Sequence, residues 1–288
     1  MLHQESQLDR MGTLYVVATP IGNLRDISLR ALDILAKVDI VAAEDTRNTS
    51  NLLRHFSLST SLMALHEHNE RGAAEKIIAM LTAGKSVALV SDAGTPGISD
   101  PGAILVRMVR QAGLKVVPVP GANAAISAIS AAGIHDPHFL FFGFLPHKSA
   151  GRRRELESLK LLPYTLVFYE SPHRILESIS DLLAVLGGER NIVFARELTK
   201  VFETIHVCRL DEALSWLEAD ANQQRGEFVL LVSGAESVVA GGIGEDAVRV
   251  LKMLLAELPL KQAVKLAADI THEKKNELYT LALELKTD

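Results

Sequence analysis

Four short apolar runs, each followed by a polar loop and then by a helical pattern, leave the first half of this chain little choice of fold. The runs fall at 14–18, 39–43, 86–90 and 115–119, and apolar residues recur at helical spacing over 28–37, 46–55, 72–83 and 102–112. Strands that alternate with helices in this way pair in parallel and carry helices on both faces. Val87-Ala88-Leu89-Val90 has no polar interruption, as expected of a strand covered on both sides. Open sheets of this kind bind small molecules outside the carboxyl ends of their strands, so function is expected in the loops that follow the runs.

The richest of these loops runs from Ser91 to Gly102. Connections between a strand and a helix usually need only about 2–6 residues. This one holds Asp92 and Asp100, and Pro96, Pro101, Gly94, Gly97 and Gly102 keep it out of helix and permit close backbone approach to a ligand. A stiff connection is the plainer alternative. The first loop, Ala18 to Asp26, lacks the G-x-G-x-x-G fingerprint, and Pro20 removes an amide that a pyrophosphate cradle would use, which counts against a dinucleotide cofactor. Gly84-Lys85-Ser86 resembles the end of a phosphate loop but runs from helix into strand, the wrong direction for that role.

The aromatic run from Phe139 to Phe144 opens a second unit, with strands expected at 164–169, 191–195, 204–207 and 228–232 and helices at 150–160, 172–186 and 211–218. The strands between Arg190 and Val207 lie too close in sequence for a crossover helix, so this sheet is expected to be mixed. Glycines in 238–244 read as a linker, and three helices follow at 245–257, 260–270 and about 272–285. The chain therefore divides into a tail (1–12), an N-terminal α/β domain with a parallel sheet (13–137), a second α/β domain with a mixed sheet (138–237), and a linker with a small C-terminal helical module (238–288).

With 288 residues, 48% of them hydrophobic, the chain is long enough for two domains and a small third. A single cysteine, Cys208, excludes an internal disulfide framework, and the polar start of the chain has no signal-peptide character, so a cytoplasmic location is expected. No apolar run approaches the ~20 residues that span a bilayer. A formal net charge of −5 argues against nonspecific coating of nucleic acid, though not against a local basic patch.

Several constellations admit two readings. Glu44-Asp45-Thr46-Arg47 is either a helix cap with a surface ion pair or part of an active site. His66-Glu67-His68 places two imidazoles on one strand face, but with no third ligand indicated they read as structural rather than metal-binding. Pro120 to Ala125 suits a flat ligand lying on the backbone or, equally, a tightly packed alanine-rich helix. Phe168 to Arg174, Ala195 to Lys200 and Gly226-Glu227-Phe228 put charge at strand ends, as polar groups facing one cleft would, or as ion pairs such as Arg196 with Glu170. Arg152, Arg153 and Arg154 sit where cations oppose a helix dipole, which favours contact with phosphates over a plain solvated helix start.

Taken together, Val17 to Leu24, Ala43 to Arg47, Ser91 to Pro96 with Asp100-Pro101-Gly102, Phe168 to Ser171, and Arg196 to Lys200 resemble the ribosomal RNA small subunit methyltransferase I family. That family falls in the tetrapyrrole-methylase-like class of S-adenosylmethionine-dependent methyltransferases. The resemblance covers nearly the whole chain. It implies a donor, S-adenosylmethionine, folded between two α/β domains, no metal, and methylation of the ribose 2′-oxygen of a decoding-centre cytidine in 16S ribosomal RNA. It places donor contacts on Pro20, Ile21, Asp92, Gly94, Thr95, Asn123, Ala124, Tyr169, Glu170 and Glu227. The class is commonly dimeric, so a homodimer is expected. The C-terminal helices match this family and not the small-molecule methylases, which suggests RNA contact by Lys261, Lys265, Lys274 and Lys275.

A ribose hydroxyl is a weak nucleophile at neutral pH, so a group that takes its proton is expected. Lys200 is the first candidate, because a desolvated lysine beside a cation such as Arg196 has a lowered pKa; a phosphate clamp is its other role. Glu197, Glu170 and Asp45 are alternative bases. The low net charge favours an assembled small subunit as substrate, where shape complementarity replaces bulk attraction. Two rival functions remain at this stage: methylation of a tetrapyrrole, and a non-catalytic RNA-binding role in ribosome assembly.

Overall fold

Strand β4 (Val87–Val90), buried at every position, lies at the centre of the first sheet. The structure, a computed structural model, describes residues 11–134, 136–235, 245–271 and 273–287. The first sheet has the order β3-β2-β4-β1-β5, with β1 Thr13–Val17, β2 Ile40–Ala43, β3 Leu62–Ala64 and β5 Lys115–Val119. All its pairings are parallel. Strand β3 has no counterpart in the sequence reading: it is three residues long and only partly buried, too short to carry a period.

Helices cover both faces of this sheet. On one, Ala31 and Leu35 of α1 (Leu29–Lys37) and Leu53 of α2 (Thr46–His55) pack on Val17, Val41 and Val90. On the other, Ile77 and Leu81 of α3 (Glu70–Thr82) and Leu105 and Val109 of α4 (Ala103–Gln111) pack on Leu14, Val87 and Leu89. Helix α4 starts without a side chain of its own as cap. Instead the buried Glu70 Oε1 accepts the amides of Gly102, Ile104 and Leu105 at 3.0, 2.8 and 3.0 Å, which satisfies the orphan donors and places negative charge at the positive end of the helix dipole.

The second sheet is mixed, as the strand spacing requires, with the order β6-β7-β10-β8-β9. Its strands are β6 Phe139–Phe144, β7 Thr165–Glu170, β8 Asn191–Arg196, β9 Thr204–Arg209 and β10 Phe228–Val232. Only β6 and β7 run parallel. Helices α6 (Ser149–Leu159), α7 (Ile175–Leu186) and α8 (Ala213–Ala219) build the core on one face around Phe168, Phe194 and Leu230. The other face is closed from the first half of the chain. Ala125 and Ala128 of α5 (Ala124–Ala131), with Ala132, pack on Val167, Val193, Val229 and Leu231. Small side chains let α5 lie close against that sheet, and the described residues up to Gly234 form one compact unit.

The described residues from Ala235 on form the other unit, in which α9 (Glu245–Glu257), α10 (Leu260–Thr271) and α11 (Lys275–Thr287) enclose Leu251, Val264, Ala267, Leu278 and Ala282. The glycine-rich linker expected at 238–244 lies outside the described residues. No helix among the described residues is long and apolar enough to cross a membrane.

Candidate active site

The loops after β1 and β4 are hydrogen-bonded to each other, Thr19 N–H to Gly94 O at 2.8 Å and Gly94 N–H to Thr19 O at 3.1 Å. Thr95 Oγ1 donates to Ala122 O at 3.1 Å and so ties in the loop after β5. These three loops face the ends of β7, β8 and β10 across a cavity of about 370 Å³, within the usual size range of small-molecule sites. Gly94 adopts φ +79°, and a Cβ there would come within 3.4 Å of Ile21 Cγ2, so only glycine presents its backbone here without strain.

Eight of the ten residues expected to meet the donor line this cavity: Ile21, Gly94, Thr95, Asn123, Ala124, Tyr169, Glu170 and Glu227. Asn123 also caps α5, its Oδ1 accepting the Ile126 amide at 3.1 Å. Tyr169 is held between the edges of Phe141 and Phe144 at centroid distances of 5.0 and 5.6 Å, and its hydroxyl accepts the Ala125 amide at 3.3 Å. Burial pushes its pKa up.

Pro20 and Asp92 do not line it. They border a separate polar groove with Asn48, Asn51 and His55. The Asp92 carboxylate accepts from the Asp45 amide at 3.0 Å and from Asn48 Nδ2 at 2.9 Å, so it fastens the start of α2. Conversely, Asp100, not chosen as a site residue from sequence, lies in the cavity wall with Ile98 and Ser99. Burial raises its pKa to about 6, the charges of Glu44 and Asp92 add to the shift, and a hydrogen bond with Ser91 opposes it. Glu44 is itself raised by burial.

The expected proton acceptors fare differently. Partial burial pulls the Lys200 pKa down, but hydrogen bonds to Glu197 Oε1 at 2.7 Å and Glu227 Oε2 at 2.8 Å outweigh it, and the net shift is upward. The lowered pKa expected from neighbouring Arg196 is therefore corrected: the lysine faces two carboxylates. Arg196 instead donates to the carbonyls of Arg225 and Phe202 and to Thr204 Oγ1, and the ion pair with Glu170 does not form.

Glu197 opposes its own burial by bonding Lys200 and the Glu227 amide, and its pKa falls. Glu170 is saturated: Oε1 accepts from Arg174 and from the Ser171 amide, and Oε2 accepts from Ser178 at 2.6 Å. Asp45 is drawn down to about 2 by its hydrogen bonds with the Arg47 side chain and amide, so it is a poor base and serves as the cap of α2. Glu197 and Thr199 hold φ of +52° and +65°, strain of a kind that gathers at functional turns.

Two further expectations change. Arg152 is fully buried; it donates to Asp181 Oδ2 at 2.7 Å and to the carbonyls of Pro146 and His147. Arg153 bonds the same carboxylate at 2.5 Å. Arg152 is therefore not free to grip phosphate, whereas Arg153 keeps more than half of its side chain exposed and Arg154 is exposed with no such partner among the described residues. His66 and His68 lie exposed beyond β3, ring centroids 6.1 Å apart, not on a strand. In the C-terminal unit Lys261, Lys265, Lys274 and Lys275 are all exposed, and Lys274 pairs with Glu277 at 3.2 Å.

The cavity wall thus carries three carboxylates, Asp100, Glu170 and Glu227, and no lysine, arginine or histidine among the described residues. Arg174 and Lys200 balance Glu170 and Glu227 from behind the wall, which leaves Asp100 as the carboxylate there with no cation paired to it among the described residues.

The fold and these loops define a class. Residues 13–214 match the family described as Tetrapyrrole (Corrin/Porphyrin) Methylases, and residues 241–286 match the RsmI C-terminal HTH domain. Solved structures of the same fold include a uroporphyrin-III-C-methyltransferase from Thermus thermophilus (TM-score 0.54, 21% identity, 77% of this chain and 94% of that one) and diphthine synthase (TM-score 0.59, 15% identity, 77% and 90%). Among curated relatives, the Ribosomal RNA small subunit methyltransferase I of Pseudomonas aeruginosa is 56% identical over 95% of this chain and 97% of its own. That of Escherichia coli O157:H7 is 52% identical over 99% of both. The chain belongs to the ribosomal RNA small subunit methyltransferase I family, a branch of the tetrapyrrole methylases.

Proposed function

We propose that this protein transfers a methyl group from S-adenosylmethionine to 16S ribosomal RNA, at the ribose 2′-oxygen of a decoding-centre cytidine, acting in the cytoplasm on an assembled small subunit. The near full-length likeness to the ribosomal RNA small subunit methyltransferases I carries the reading. The cavity fits the donor's chemistry, since a sulfonium cation finds the unpaired Asp100 carboxylate in the wall, with apolar surface from Ile21, Leu198 and Val229 for a flat base. Ile21, Gly94, Thr95, Asn123, Ala124 and Tyr169 would hold it, and when bound it supplies the electrophilic methyl group.

The chain's own contribution is chiefly alignment. The reacting oxygen and methyl carbon must meet in line, and the hydrogen-bonded loops at Thr19, Gly94 and Ala122 fix one wall of the cavity against the second sheet. Exposed Lys261, Lys265, Lys274, Lys275, Arg153 and Arg154 are the residues proposed to meet RNA phosphates. A homodimer is proposed as the working unit, with exposed Phe139 on edge strand β6 available to its interface.

The test offers labelled S-adenosylmethionine with three acceptors in parallel: small subunits lacking the modification, free 16S ribosomal RNA, and a reduced tetrapyrrole. Label on the subunit alone is the expected result. Label on the tetrapyrrole, or RNA binding without transfer to any acceptor, would replace this reading with one of its rivals.

A further inference from the structure

We propose that Asp100 takes the proton from the acceptor hydroxyl during methyl transfer, an inference that rests on the function proposed above. Of the three carboxylates in the cavity wall, two are committed. Both oxygens of Glu170 are occupied by Arg174, Ser171 and Ser178, and Glu227 is paired with Lys200. Asp100 has no cation against it among the described residues; the groups that face it are Ser91, Glu44, Asp92 and Tyr169.

Its position is enforced from the second sheet. Strand β6 shifts register between Phe141 and Gly143, and Gly143, at φ +81°, lies so close to Ser99 that a Cβ would come within 2.8 Å of the Ser99 hydroxyl. Ser99 itself holds φ +63°. A bulge that re-aims a strand next to a strained, non-glycine residue is a costly arrangement, of the sort found where one side chain must be presented in one place.

The charge balance of the reaction points to the same residue. As the oxygen bonds to the methyl carbon, the O–H proton passes to the Asp100 carboxylate and the C–S electron pair returns to sulfur. A carboxylate facing a sulfonium becomes a carboxylic acid facing a neutral thioether, so the step leaves no charge uncompensated. Burial and the neighbouring charges of Glu44 and Asp92 make Asp100 a stronger proton acceptor than an exposed aspartate while leaving it ionised at neutral pH.

Two measurements test this on the whole chain, with thermal unfolding of each variant as a check on folding. First, donor binding is followed by calorimetry in buffers of different ionisation enthalpy near pH 6. A cation arriving at Asp100 expels its proton, so the native protein is expected to release protons on binding and Asp100→Asn is not. Second, single-turnover transfer is followed from pH 5 to 8.5. With donor saturating, the native rate is expected to fall as pH drops through the Asp100 pKa of the donor complex, which the bound cation holds below its value in the free protein, and to be flat above it. Asp100→Asn is expected to lose at least about 100-fold in rate with a smaller loss of donor affinity, and Asp100→Glu to recover part of it.

Transfer by Asp100→Asn within about threefold of native with the same acid limb overturns the proposal, as does a loss of rate fully matched by lost donor affinity. No transfer to RNA by the native protein, with proton release intact, would overturn the RNA reading and the proton role built on it, while leaving Asp100 at the donor.

Discussion

Replacing Arg152 by alanine separates two accounts of the arginine cluster at the start of α6. Its guanidinium is fully buried and bonds Asp181, itself 3% exposed at the side chain, as well as two backbone carbonyls. Removing one member of a buried pair leaves the other charge uncompensated, which costs about 3–5 kcal/mol. For a cooperative unit of this size, about 2–4 °C of melting temperature accompany each kcal/mol, so a drop of roughly 6–20 °C is expected. Arg153 and Ser149 still bond Asp181, which favours the lower part of that range. Thermal and urea unfolding measure the loss, with Arg154→Ala as the exposed control expected to melt like the native protein. An Arg152→Ala protein with unchanged stability, but weaker RNA binding and a salt dependence shallower by about one charge, would refute the buried-pair account and restore a phosphate contact.

The same pair gives an acid limb. Asp181 is desolvated, yet hydrogen bonds from Arg153, Ser149 and Arg152 hold its pKa below the ordinary value; it stabilises the fold above the unfolded carboxylate range, and that contribution should disappear as pH falls through its depressed pKa, a loss that Asp181→Asn melts should not show. Lys200→Met should reduce transfer less than Asp100→Asn and leave the acid limb of the rate profile in place, because the lysine is held protonated by Glu197 and Glu227. Gly143→Ala, whose new methyl group would meet Ser99 Oγ, should lower the transfer rate by more than its change in melting temperature explains. Glu70→Gln should cost about 1–2 kcal/mol in urea unfolding, since three amides at the start of α4 lose a charged acceptor.

The strands were legible where burial forces a pattern. Val87 to Val90 and Phe228 to Val232 are apolar throughout because they are central in their sheets and covered on both faces. Leu62–Ala64 was not, since three residues at a sheet edge carry no period. The cavity loops were legible as long, glycine-rich strand ends, but which side chain turns inward was not. Asp92 and Asp100 belong to the same loop, yet Asp100, next to the strained turn at Ser99, enters the wall while Asp92 reaches back to the start of α2.

Charge was the least readable feature, because its partners are distant in sequence. Arg152 looked misplaced at a helix start; its counterion, Asp181, is on α7. Lys200 looked cationic in company with Arg196, yet the tight turn through Glu197 and Thr199 carries it back to Glu197 and across to Glu227 at the entry to β10.

The most direct test of the central claim is to incubate small subunits lacking the modification with the protein and S-adenosylmethionine, digest the RNA, and locate the new methyl group by mass spectrometry of the fragments. The account predicts one methyl group, on the ribose of a single decoding-centre cytidine. A methyl group on a base, at another nucleotide, or absent altogether despite donor binding would contradict it.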